Sequence, residues 1–66
     1  MRIQVNGNER EFPDGSTVAD LLAVLGTAQR GVAVALDGEV VRRARWGEVV
    51  VLDGARLEIL TAVQGG

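Results

Sequence analysis

Turn signals at four points fix where the strands of this chain can begin and end. Asn6-Gly7 and Asp37-Gly38 are two-residue pairs that favour tight β-hairpins, because both turn residues can adopt positive φ. Pro13-Asp14-Gly15 and Asp53-Gly54 are turn sequences as well. We therefore expect hairpins at two points and chain reversals at the other two.

Segments beside these turns have the composition of β-strands. Residues 2–6 alternate polar and apolar side chains, which places Ile3 and Val5 on a buried face. Residues 9–12 return antiparallel and bring Phe12 to the core. The other predicted strands are Val32–Leu36, the short Glu39–Val41 and Arg56–Thr61, and residues 47–52 add a short apolar stretch.

One segment has helical periodicity. Thr17 is the predicted N-cap, and Asp20 stands three residues later at the acidic position of a capping box. Val18, Leu21, Leu22 and Leu25 then form an apolar stripe that faces the core. Gly26 is the predicted C-terminal stop.

The order of elements predicts an α+β fold. Strand, strand, helix, strand, short strand and strand fit a β-grasp arrangement, a mixed four- to five-stranded sheet packed on one helix with the last strand beside the first. We expect one domain over residues 1–61 and a flexible C-terminal tail over residues 62–66. No internal repeat or linker is visible.

The composition argues against catalysis by this chain. It has no Cys and no His among its 66 residues, so the usual nucleophile–base pairs and metal ligand sets cannot be built. Ser16 is the only serine and is expected at the helix entrance. No phosphate-binding glycine loop is present, and the carboxylates form no spaced ligand set. We expect no enzyme, no metal and no bound cofactor.

Charge and hydropathy exclude two classes of partner. A net charge of −2 gives no footprint for nucleic acid. No secretory signal and no membrane-spanning stretch is visible, so a cytoplasmic location is expected. Arg42, Arg43 and Arg45 form the one basic cluster. A solvated edge is the simplest interpretation, and steering toward an acidic partner is the alternative.

The sequence finishes on Gly65 and Gly66, after the last apolar strand. Without Cβ atoms this dipeptide can extend and enter a narrow channel. Five residues beyond Thr61 would reach roughly 16–18 Å. We expect Gly66 to present an ionised carboxylate, which is a poor electrophile until another protein activates it.

These features resemble the ubiquitin-like β-grasp sulfur carriers, and most closely the ThiS family of thiamine biosynthesis. The resemblance covers nearly the whole chain. It is strongest over residues 58–66 and 31–41, and it is weaker at residues 14–18 with Leu21-Leu22 and at Arg43 with Trp46. The chain departs from the family pattern at Asp37, where Asn is usual, and at Arg42 and Arg45, where Pro and Glu are expected.

The resemblance implies a carrier whose reactive group is the Gly66 carboxylate. An E1-like adenylyltransferase (ThiF type) would adenylate it with ATP and Mg²⁺. A sulfur donor such as a cysteine desulfurase would convert the adenylate to a thiocarboxylate, and a thiazole synthase (ThiG type) would take the sulfur into the thiazole ring of thiamine. Val63, Gln64 and Gly65 would form the tail that enters the partner's active site.

Both partners need a surface on which to dock. If Leu57 and Ile59 face the helix, Leu60 and Ala62 face outward on the same strand. We expect Leu60 and Ala62, with Ala33 and Ala35 on a neighbouring strand, to form a small apolar docking patch near the root of the tail.

Three other functions remain open at this point. The small subunit of molybdopterin synthase would use the same chemistry in another pathway. A ubiquitin-like modifier would instead be joined to lysines of target proteins. A plain β-grasp interaction module would not need Gly65 and Gly66 at all.

Overall fold

The computed structural model describes residues 1–27 and 31–61. The predicted tail at residues 62–66 therefore lies outside the described residues. Within them the chain forms five strands, one α-helix and one 3-10 turn: β1 (Arg2–Val5), β2 (Asn8–Glu11), α1 (Val18–Leu25), β3 (Val32–Leu36), β4 (Glu39–Val41), the turn Arg43–Arg45 and β5 (Arg56–Thr61).

The strands form one mixed sheet in the order β2-β1-β5-β3-β4. β5 lies in the centre, parallel to β1 and antiparallel to β3. This arrangement confirms the predicted β-grasp fold with the last strand beside the first. Of the four to five strands predicted, the sheet has five, because β4 pairs with β3 in an antiparallel hairpin.

Both predicted hairpins form as the turn residues require. Asn6 and Gly7 have φ of 50° and 86°, and Asp37 and Gly38 have φ of 50° and 87°. Positive φ at both positions gives the turn whose twist matches the flanking strands. The first hairpin differs by one residue from the prediction, since β1 ends at Val5 and β2 begins at Asn8. Phe12 then lies just beyond β2 and is buried in the core as predicted.

The helix begins and ends at the predicted residues. The Thr17 hydroxyl accepts from the Asp20 N–H at 3.2 Å, and the Asp20 carboxylate accepts from the Thr17 N–H at 3.0 Å, which completes a capping box. Gly26 ends α1 with φ of 69°. Three residues of the apolar stripe are fully buried, and the fourth, Leu25, is half-buried against the core.

The core lies between α1 and one face of the sheet. Its largest fully buried side chains come from every part of the chain: Ile3, Val18, Leu21, Leu22, Val34, Val51 and Leu57. Trp46 is also buried, and its indole N–H donates to the Val41 carbonyl at 2.9 Å. All three arginines of the predicted basic cluster are exposed, whereas Trp46, which follows them in the chain, is in the core.

The short apolar stretch at residues 47–52 lies outside the sheet. Within it, Val50 forms an isolated antiparallel bridge to Thr17. Val51 from the same stretch fills the core. In the part of the chain that is described, the one α-helix is far too short to cross a membrane.

Candidate functional site

The sheet face opposite the helix divides into a polar half and an apolar half. On the polar half, Arg2 pairs with Glu9 at 3.2 Å and with Glu11 at 3.5 Å across the β1–β2 hairpin. These exposed pairs contribute little to stability but keep that half hydrated. The apolar half belongs to β3, β4 and the C-terminal part of β5.

Four residues form this apolar half, which we call the outer apolar patch: Ala33, Ala35, Val40 and Leu60. Leu60 is 69% exposed and Val40 is 77% exposed. Strand pairing brings the four together, because Leu60 lies opposite Ala33 and Val40 lies opposite Ala35. With Glu58 at its border, the patch lines a shallow depression of about 110 Å³. Large exposed side chains on a small surface of this kind are typical of a docking site.

The structure brings together three of the four predicted docking residues. Leu60 and Ala33 are direct neighbours, and Ala35 lies one position further along the same face. Ala62 lies outside the described residues. Val63, Gln64, Gly65 and Gly66 lie outside them too.

Sequence reasoning missed Val40, although the signal was present. A two-residue turn at Asp37-Gly38 sets Leu36 opposite Glu39, and the next pair is then Ala35 with Val40. Residues that lie opposite each other in a sheet point to the same face. Val40 is therefore an outward-facing neighbour of Ala35 and doubles the number of large apolar side chains on the patch.

Sequence reasoning also missed how β5 is held where it approaches the patch. Backbone pairing between β1 and β5 reaches Val5 opposite Leu57. Beyond that point the Asn6 side chain takes over: its Oδ1 accepts from the Ile59 N–H at 2.8 Å, and its Nδ2 donates to the Ile59 carbonyl at 3.2 Å. The Asn6 amide thus makes the two backbone hydrogen bonds that one more residue of β1 would make to β5. It does so at Ile59, two positions before Thr61.

The second hairpin turn holds the start of β5 in a similar way. The Asp37 N–H donates to the Arg56 carbonyl at 2.8 Å, and the Asp37 carboxylate accepts from the Arg56 N–H at 2.9 Å. The first residue of each hairpin turn therefore binds the central strand, one near its beginning and one near its end. β5 reaches Thr61 as a strand fixed on both sides.

The described residues contain no group of three or more metal-ligating side chains. Every buried polar side-chain atom among them has a hydrogen-bond partner. Within the described residues, the outer apolar patch is a cluster of exposed apolar side chains that includes Leu60, next to the end of β5.

Comparison with known proteins agrees with this geometry. A model of the ThiS family matches residues 3–66. Sulfur carrier protein ThiS of Escherichia coli (strain K12) is 32% identical over 66 residues, and the match covers 100% of both chains. A thiazole synthase of Paramagnetospirillum magneticum is 41% identical over all 66 residues, but the chain spans only 20% of the length of that relative.

A solved structure supports the same assignment. The crystal structure of a thiamine biosynthesis protein (ThiS) from Geobacter metallireducens matches with a TM-score of 0.86 at 35% identity, and the match covers 100% of both chains. The likeness therefore extends from sequence to fold over the full length. The chain belongs to the ThiS family and has its ubiquitin-like β-grasp fold.

Proposed function

We propose that this chain is a sulfur carrier of thiamine biosynthesis, with Gly66 as the residue to which the sulfur is attached. The observation that carries the proposal is that the family match runs through to Gly66 and so includes the Gly-Gly dipeptide. The full-length similarity to sulfur carrier protein ThiS of Escherichia coli points to the same function. Val63, Gln64 and Gly65 form the tail that carries Gly66 into the partner's active site.

The chemistry takes place on the Gly66 carboxylate in successive steps. Its oxygen attacks the α-phosphorus of ATP, pyrophosphate leaves, and an acyl-adenylate forms. An E1-like adenylyltransferase supplies the site for this step and uses Mg²⁺ with the ATP. The outer sulfur of a persulfide on a donor such as a cysteine desulfurase then attacks the acyl carbon and displaces AMP. A thiol cleaves the resulting acyl disulfide, so that the products are the Gly66 thiocarboxylate and a disulfide. The chain itself binds no cofactor and contributes no catalytic side chain.

A thiazole synthase then receives the sulfur. The similarity of this chain to part of a Paramagnetospirillum magneticum thiazole synthase supports that partner. Glycine suits the transfer, because no side chain covers either face of the acyl carbon.

Both partners dock on the outer apolar patch and on Ala62. Leu60 is its central residue, since it lies on the strand that continues into the tail and is 69% exposed. A partner that covers Leu60 is only one residue from Thr61, where β5 ends. The contact at Leu60 that holds the carrier therefore also directs the tail toward the partner's active site.

The decisive test is the intact mass of the protein after incubation with ATP, a sulfide source and lysate of its host. We expect a gain equal to one oxygen replaced by one sulfur. Oxidation of Met1 gives nearly the same gain, so the sample is also treated with iodoacetamide. The chain has no Cys, so a single carbamidomethyl adduct at neutral pH reports the thiocarboxylate. A variant that lacks Gly66 is the control.

Other results identify the alternatives. Conjugates the size of other proteins indicate a ubiquitin-like modifier. A thiocarboxylate that supports molybdopterin synthesis but not thiazole synthesis assigns the carrier to that pathway. No change in a lysate that makes thiamine leaves only the plain interaction module and overturns the proposal.

Leu60→Asp tests the docking role. We expect adenylation kcat/KM to fall at least about tenfold, since burial of a carboxylate in an apolar contact costs more than the roughly 1.4 kcal/mol that this factor represents. Leu52→Asp is the matched control, because Leu52 is 72% exposed and lies near the start of β5, away from the patch. If Leu60→Asp folds and is adenylated at the wild-type rate, the patch is not the docking site.

A further inference from the structure

A groove runs along the edge strand β4 and is bordered by Leu36 at the end of β3. It has a volume of about 540 Å³ and is lined by four apolar residues and by three charged residues that we call its rim: Leu36, Val40, Val41 and Val49, and Glu39, Arg42 and Arg45. Val40 also lines the depression of the outer apolar patch. The groove and the patch therefore adjoin at Val40.

This rim is the most basic part of a chain whose net charge is −2. Three of the seven arginines lie within residues 42–45, and all three are exposed. Two of them, Arg42 and Arg45, line the groove, whereas Arg43 does not. Two carboxylates offset part of this charge, since Glu39 lines the groove and Glu48 pairs with Arg45.

Among the contacts of residues 1–27 and 31–61, neither groove arginine makes a strong structural interaction. Arg42 precedes the 3-10 turn and makes no side-chain cap hydrogen bond. Arg45 pairs with Glu48 at 3.6 Å, with 62% of the Arg45 side chain and 67% of the Glu48 side chain exposed. An exposed pair of that length is weak and exchanges readily for a better partner. The two guanidinium groups can therefore bind carboxylates from outside the chain, for which their planar geometry is suited.

We propose that this groove binds an acidic segment of the thiazole synthase, which places its carboxylates on Arg42 and Arg45 and an apolar side chain against Val41 and Val49. The inference rests on the proposed function and adds the chemistry of the partner surface. Because Val40 borders both surfaces, a protein docked on the outer apolar patch lies next to the groove. Positive charge at its rim selects a negative segment and speeds the encounter.

The thiazole synthase is the partner to which we assign the segment. In the Paramagnetospirillum magneticum relative, the part similar to this chain is 20% of a longer thiazole synthase. In that relative, the part similar to this chain and the rest of the synthase belong to one chain, so their surfaces are held close to each other. The activating enzyme is the other candidate, and the experiment separates the two.

The test measures association of the full-length carrier with purified thiazole synthase of the same host, at low and high NaCl. Two variants remove the rim charge: Arg42→Glu and the double variant Arg42→Gln/Arg45→Gln. Arg43→Gln is the matched control, because it removes a charge from the same 3-10 turn but not from the groove. Urea midpoints confirm that all variants are folded.

We expect the association rate constant to fall about tenfold at low salt in both groove variants and to lose most of its salt dependence. Arg43→Gln should stay within about twofold of the wild type, since a charge outside the contact contributes little. If the groove variants match Arg43→Gln while the wild type binds, the inference is wrong and the carrier function stands.

Two further outcomes are informative. If the wild type forms no thiocarboxylate and does not bind the synthase, the proposed function fails, and the inference fails with it. If the groove variants bind the synthase normally but are adenylated more slowly, the acidic segment belongs to the activating enzyme. The assignment to the synthase is then overturned.

Discussion

Replacing Asn6 by glycine should loosen the end of β5 while the rest of the sheet stays paired. Glycine keeps the positive φ of 50° that the turn requires at this position, so the hairpin itself is not strained. The substitution removes only the side-chain amide, which makes the 2.8 Å and 3.2 Å hydrogen bonds to Ile59. No other side chain in the described residues takes this place between β1 and the last part of β5.

The expected cost follows from these two bonds. A hydrogen bond contributes roughly 0.5–1.5 kcal/mol net, and exposed bonds fall in the lower half because water replaces the lost partner. The pair should therefore contribute about 1–2 kcal/mol to the free energy of unfolding. For a domain of this size, that loss lowers Tm by roughly 4–16 °C.

Two measurements check the size and the place of the effect. Urea unfolding followed by Trp46 fluorescence gives the global free energy, since this only Trp is 4% exposed in the folded protein. Amide hydrogen exchange gives the local effect, because the Ile59 N–H donates to Asn6. Loss of 1–2 kcal/mol corresponds to exchange that is about 5–30 times faster.

Asn8→Gly is the matched control. It makes the same substitution two residues away, at a side chain for which the described part of the chain shows no hydrogen bond. It therefore corrects for the entropy that any new glycine adds to the unfolded chain. If Asn6→Gly costs no more than Asn8→Gly and Ile59 exchange is unchanged, the amide does not hold β5 and the reasoning is refuted.

Four other substitutions test the frame around the site. In urea unfolding, Asp37→Asn should change the free energy of unfolding by less than about 0.5 kcal/mol, because its amide oxygen can still accept from the strand N–H. Asn6→Asp should cost more than Asp37→Asn, since the Nδ2 donor is lost. Thr17→Ala removes the hydroxyl that accepts in the capping box and should cost about 1 kcal/mol, with helix loss visible by circular dichroism. Trp46→Phe should cost about 1–2 kcal/mol, because phenylalanine keeps an apolar ring but cannot donate to the Val41 carbonyl. Circular dichroism follows this variant, since the fluorophore is gone. A loss above about 2 kcal/mol for Asp37→Asn, or no loss for any of the other three, would contradict these assignments.

Much of the fold could be predicted because its signals are local. A two-residue hairpin needs positive φ at two adjacent positions, and Asn6-Gly7 and Asp37-Gly38 supply it wherever they occur. The helix is similar, since its cap is formed between Thr17 and Asp20, only three residues apart. Part of the outer apolar patch could also be predicted from the sequence, because alternation along β5 turns Leu60 outward once Leu57 is buried.

The missed features depend on contacts between distant parts of the chain. Asn6 and Ile59 are 53 positions apart, so no local pattern links the amide to β5. Trp46 follows three arginines in a run that looks solvated, and it is buried because the 3-10 turn carries it back over the core.

By itself, the sequence determined the order of the elements, the positions of the turns, the buried faces of β1 and β5 and the Gly-Gly dipeptide. These depend on φ preferences and on side-chain periodicity, which act over a few residues. Only the tertiary structure decided that Val40 joins Leu60 on one surface, that the groove lined by Arg42 and Arg45 adjoins this surface, and that hairpin turns hold β5 from both sides. These residues come together because β5 lies between β1 and β3 in the sheet. That strand order depends on packing of the whole sheet on one helix.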